Sequence, residues 1–123
     1  MHLGVLEGFE KMPAEDFQGI LNGLNDGREG IRNFAITRVA SMGVEVAPML
    51  IDLLKRKDGY WHDSASASLI KIGAPVIPLL IEAMNSTDRS TRWGAAAILG
   101  ALGQEGTLAV DKARKASGVL AAN

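Results

Sequence analysis

A repeat constrains this chain more than any other feature. Gly43, Gly73 and Gly103 are spaced 30 residues apart, and Pro48 and Pro78 share the step. Written in rows of 30, the 123 residues fall into columns. Val5, Ala35, Ala65 and Ala95 align, as do Phe9, Val39, Leu69 and Leu99. Met12, Met42, Ile72 and Leu102 form a third column, and Ile20, Leu50, Leu80 and Val110 a fourth. One column is basic or imidazole throughout: His2, Arg32, His62 and Arg92. Agreement of this breadth over four rows is a four-fold repeat, and a period of this length restricts the chain to an array of stacked units.

Within a row the apolar columns fall at steps of four and three, as in Ala65, Leu69 and Ile72, which is one face of a helix. Ala47, Leu50, Ile51 and Leu54 make the same stripe in the second half of a row, as do Ile77, Leu80, Ile81 and Met84. Strand alternation is absent. Each row therefore reads as two short antiparallel helices. The glycine column ends the first, since glycine accepts the left-handed backbone of a helix C-cap. Pro48 and Pro78 open the second, where a missing amide hydrogen costs little. Asp58 and Asp88 precede the next row and are placed to cap it.

First-type helices are expected over about 2–12, 29–42, 60–72 and 89–102, and second-type helices over about 14–25, 46–57, 75–86 and 105–117. The charge-poor stretch KIGAPVIPLLIEAM at 71–84 is on this reading a joint between two helices. A pair this small cannot bury its stripe alone, so the pairs must stack. The expected fold is all-α: a right-handed α-solenoid of four two-helix units, one domain over residues 1–123. Leu69 and Leu99 should be among the most buried residues. The first helix, weakened by Gly4 and Gly8, should fray first.

Charge and composition narrow the function. A net charge of −1 gives no strong field toward nucleic acid or anionic lipid. The chain has no cysteine, which removes disulfides, thiolate nucleophiles and zinc–thiolate sites and favours a cytoplasmic setting. Residues 1–13 do not read as a signal peptide. The longest uncharged apolar run is far short of the roughly 18 residues a spanning helix needs, so no membrane is implied.

The segments IRNFAITRVASMG, WHDSASASLIKIG and TRWGAAAILGALG resemble the first helix of short HEAT-like repeats, of the kind noted in phycobilisome lyases, and APMLIDLLKRKD and IPLLIEAMNSTD resemble the second. The resemblance covers about 30–103 well; residues 1–29 match at the core columns only. His62 stands where these repeats usually carry arginine, which leaves the hydrogen bond of that column open. Asp111 and Arg114 stand where other rows have Ile or Leu, as suits a terminal cap with one wet face. The resemblance implies a scaffold or recognition module. It also admits, as an alternative, a subunit of a bilin lyase or related chromophore-handling complex.

No catalytic constellation emerges. His2 and His62 lie 60 residues apart, so they read as column residues and not as metal ligands. Asp63 points about 100° away from His62 on one helix, so a Ser–His–Asp triad does not converge. Ser64, Ser66 and Ser68 read as small residues that permit close packing. GAAAILGALG follows no strand and carries no lysine, so it is not a phosphate loop. No cofactor is implied. What remains is surface. Asp52, Lys55, Arg56, Glu82, Asn85, Lys112 and Lys115 fall on the second-type face away from the apolar stripe, which in HEAT-like solenoids lines the concave side. Asp52 and Glu82 interrupt the basic residues, which disfavours nucleic acid. The expected activity is non-catalytic binding of a protein or peptide. Trp61 shares a column with Ile31 and Thr91 and is expected in the core. Trp93 shares one with Asn33 and Asp63; it is either a separate contact residue or packed over the gap beside Gly94 and Gly100.

Overall fold

The structure, a computed structural model, describes residues 14–122. The expected first helix at 2–12, with Gly4 and Gly8, lies outside the described residues. Those described are all-helical, with seven α-helices and no strand. In chain order they are α1 (Ala14–Gly23), α2 (Glu29–Ala40), α3 (Ala47–Leu53), α4 (Trp61–Ile72), α5 (Ile77–Ala83), α6 (Arg89–Ala101) and α7 (Gln104–Ala122). Short 3-10 turns at Gly43–Val46 and Ala74–Val76 lead into α3 and α5.

The glycine and proline columns mark the joints. Gly43, Gly73 and Gly103 have φ of 77°, 86° and 74°, a region closed to most side chains. Pro48 and Pro78 stand in the first turns of α3 and α5. The chain direction changes by 115° between Glu29–Ala40 and Gly43–Leu53, and by 112° at the next joint. Helices joined through Gly43 and Gly73 are thus splayed, not antiparallel as expected, and meet mainly near the joint. The extensive packing is with the helix that follows: α1 on α2, α3 on α4, α5 on α6. First-type helices also pack in succession, α2 on α4 and α4 on α6, as do α3 on α5 and α5 on α7.

The core is drawn from the aligned columns. Ala35, Ala65, Ala95, Val39, Leu69, Leu99, Leu50 and Leu80 are all buried. Each fully buried leucine contributes about 1.5–3 kcal/mol of burial. Trp61 is half-buried and packs against this core. Ser64 and Ser68 are buried, and their hydroxyls are occupied as well as small. Ser64 Oγ donates to Leu24 O at 2.5 Å, and Ser68 Oγ donates to Ser64 O at 2.8 Å. No single helix among the described residues is long and apolar enough to cross a membrane.

Three features depart from expectation. Helices α3 and α5 stop at Leu53 and Ala83, several residues early. The runs that follow, KRKDG and NSTD, favour turns over a continued helix. Asp88 caps α6, accepting from Thr91 N at 2.8 Å, but Asp58 does not cap α4. Gly59, with φ of 62°, turns the chain there, α4 starts at Trp61, and Asn25 Oδ1 takes over by accepting from Tyr60 N at 2.7 Å. The last helix runs on to Ala122, with no proline at its start. Its first turn carries buried Gly106 where earlier rows have Val46 and Val76. A Cβ there would overlap the Leu99 carbonyl and stand 2.8 Å from Leu99 C, so α7 lies backbone to backbone against α6.

The basic column now has an account. Arg32 Nη1 donates to Asp26 O and Arg92 Nη1 to Ser86 O, each at 2.9 Å and each to the carbonyl six residues upstream. His62 is too short for the equivalent reach. Its Nδ1–H donates to Leu54 O at 2.8 Å, two residues further back. All three side chains tie the start of a first-type helix to the end of the helix before it.

Candidate binding surfaces

The residues singled out from sequence are divided between two clefts and open surface. Asp52 lies on α3, and Lys55 in the turn after it; their side chains form an ion pair at 2.9 Å. They rim a cleft of about 370 Å³ between α3 and α5, closed on one side by Ser86, Thr87 and Asp88. Arg56 faces elsewhere. Its guanidinium pairs with Asp58 at 2.9 Å and stands 5.3 Å from the centre of the Trp61 ring. The Asp58 hydrogen bond raises the Arg56 pKa above its usual value and lowers that of Asp58. Because α3 and α5 end early, Lys55, Arg56 and Asn85 belong to turns and not to helix faces.

A second cleft, of about 520 Å³, lies between α5 and α7. Ile81, Met84 and Val110 supply its apolar floor, and Asn85, Arg114 and Ser117 its polar edge. Asn85 is the one sequence-selected residue on this lining. Glu82, Lys112 and Lys115 are exposed but line neither cleft. Arg114, which breaks the apolar column, turns out to edge this cleft, and Asp111 is exposed as a wet face requires.

Trp93 is 71% exposed. It does not fill the space beside Gly94, which His62 and Leu54 close instead. Its ring separates two depressions. One, of about 580 Å³, is lined by Met84, Arg92, Ala96 and Ala97. The other, of about 360 Å³, is lined by His62, Arg89 and Ser90. An exposed tryptophan beside apolar concavity has the character of a binding anchor. Among the described residues no group of three or more His, Cys, Asp or Glu is placed to hold a metal ion. Sequence reasoning missed the cleft at Met84, because that position reads as core from its column.

No protein-family model matches the chain, and no curated protein matches it.

Proposed function

We propose that this chain is a short right-handed α-solenoid of HEAT-like repeats, four two-helix units in all, that acts as a non-catalytic binding module for a protein or peptide. The observation that carries this reading is the pair of clefts flanking α5, one toward α3 and one toward α7. Each lies between successive second-type helices, the side that lines the concave surface in such solenoids. Their apolar floors and mixed polar edges suit a peptide more than a small substrate, and the clefts are shallow and open. The stacking of α2, α4 and α6, and of α3, α5 and α7, together with the matching bonds of Arg32 and Arg92, supports the repeat reading.

The test begins with affinity capture from the native host, identification of the retained protein by mass spectrometry, and titration against it. The groove reading expects additive, salt-sensitive losses when Lys55, Asn85 and Arg114, which line the two clefts, are changed together to Ala, with helical content unchanged. A single exposed charge is worth little, about 0.2–1 kcal/mol, so no one of them should dominate. A retained partner that binds this triple variant as it binds the parent, at low salt, refutes the groove.

A further inference from the structure

The 30-residue step shows what the cleft beside Trp93 is shaped to take. Leu24 is approached by Ser64, whose hydroxyl bonds its carbonyl. One step on, Leu54 and His62 close around Gly94: a Cβ at Gly94 would stand 3.1 Å from His62 Cε1 and 3.3 Å from Leu54 Cδ2. One step further, the equivalent pair is Met84 and Arg92, and these two line the open apolar cleft of about 580 Å³ beside Trp93. The surface that α6 covers on α3 and α4 is therefore repeated, uncovered, on α5 and α6. It continues an interface that the fold has already built twice.

The chemistry of an occupant follows from the same comparison. Both covered positions are filled by a helix bearing a small residue, Ser64 or Gly94, at the closest approach. Four residues earlier on α6, Ser90 stands beside His62. At the open cleft that neighbour is Arg92, a permanent cation at the rim, which favours an acidic side chain there. The cleft also replaces Asp63 with Trp93, a charged residue with a large apolar one, while Met84 replaces Leu54 with a more adaptable side chain. We propose that the cleft formed by Met84, Arg92, Trp93, Ala96 and Ala97 docks an amphipathic helix of a partner protein, with Asp or Glu in its first turn and Gly, Ala or Ser four residues later.

This surface meets the α5–α7 cleft at Met84, but Ala97, the residue changed in its test, lines neither cleft of the groove, so the two readings are tested independently. The probe is a fluorescein-labelled peptide copied from residues 88–102 of this chain, with Ser90→Glu and Trp93→Phe. Fluorescence anisotropy against the full chain should show saturable binding. The protein variant Ala97→Asp, at an exposed helix position, should weaken it by roughly tenfold or more while circular dichroism stays unchanged. Peptide Gly94→Leu should weaken binding similarly, and a peptide carrying Ser90→Lys should bind less tightly than the Glu version. The Lys55, Asn85 and Arg114 triple variant should bind the peptide as the parent does. Absence of saturable binding overturns the proposal, as does binding indifferent to Ala97→Asp and to peptide Gly94→Leu. Self-association of the chain that Ala97→Asp abolishes and that the peptide competes away would assign the cleft to a second copy and overturn the partner-helix assignment.

Discussion

Glycine at position 106 offers a test in which two effects of opposite sign compete. Replacing a helix-interior glycine by alanine normally stabilises a helix by about 0.5–1 kcal/mol through reduced backbone freedom. Gly100, exposed on α6 with nothing within 4 Å of a built Cβ, should show that gain. At Gly106 the added methyl meets backbone: the Leu99 carbonyl, with Leu99 C at 2.8 Å and Leu99 Cα at 3.2 Å. A main chain inside a helix cannot rotate aside as a side chain can, so α7 must shift away from α6. Overpacking of this kind costs about 1–3 kcal/mol. The net expectation for Gly106→Ala is destabilisation of about 0–2.5 kcal/mol after the propensity gain, so it should be less stable than Gly100→Ala by at least about 0.5 kcal/mol. Urea denaturation followed by far-ultraviolet circular dichroism resolves such differences in the transition midpoint. Gly106→Ala as stable as Gly100→Ala would falsify the close approach of α7 to α6.

The remaining expectations concern the core, the ties and the cap. Leu69→Ala or Leu99→Ala should each cost about 2–5 kcal/mol, since both leucines are almost wholly buried; a denaturation midpoint equal to the parent's would contradict the column assignment. His62→Ala should cost about 1–3 kcal/mol by leaving Leu54 O without its side-chain donor, and the loss should be visible in the same urea series. The Asp88 carboxyl is held below its usual pKa by hydrogen bonds from Thr91 N–H and its hydroxyl. Such a group stabilises above its unfolded pKa, about 3.9, and that contribution is lost as pH falls through the lower folded value. Asp88→Asn, which keeps a capping oxygen but does not titrate, should leave melting at pH 7 nearly unchanged and flatten its decline in acid; an unaltered acid slope would argue against this assignment.

Sequence carried the helical class and the joints because both rest on short-range rules. A left-handed position is met most cheaply by Gly43, Gly73 and Gly103, and helix openings tolerate Pro48 and Pro78. Leu69 and Leu99 were legible because the 30-residue step repeats their surroundings. Other features were not legible because they depend on contacts far along the chain. Asp58 and Asp88 look equivalent in sequence, yet Gly59 turns the chain beside Asp58 and hands its capping role to Asn25, 35 residues from the amide it serves. Gly106 reads as a weak spot in a helix until Leu99 is seen against it. The surface strip was legible only in part. Asp52 and Lys55 share a cleft, but Arg56 pairs with Asp58 beside Trp61, and Asn85 lines the cleft on the α7 side of α5. Trp93 was recognisable as exposed because it shares a column with Asn33 and Asp63.

The bonds from Asn25 to Tyr60 N and from Ser64 to Leu24 O bear on how the chain comes apart. In an array whose units touch only adjacent units, melting can start at an end and advance one unit at a time. Here the segment after α1 is fastened to the start of α4, past the whole of α2 and α3. Opening at the amino-terminal side therefore cannot stop after α1 and α2 without breaking both clasps, and α1 through α4 are expected to open as one cooperative block. Amide hydrogen exchange should group the protection of Leu24, Tyr60 and Ser64 together. The same clasps fix a spacing: copying or deleting 30 residues between Asn25 and Tyr60 would separate partners that are matched to it.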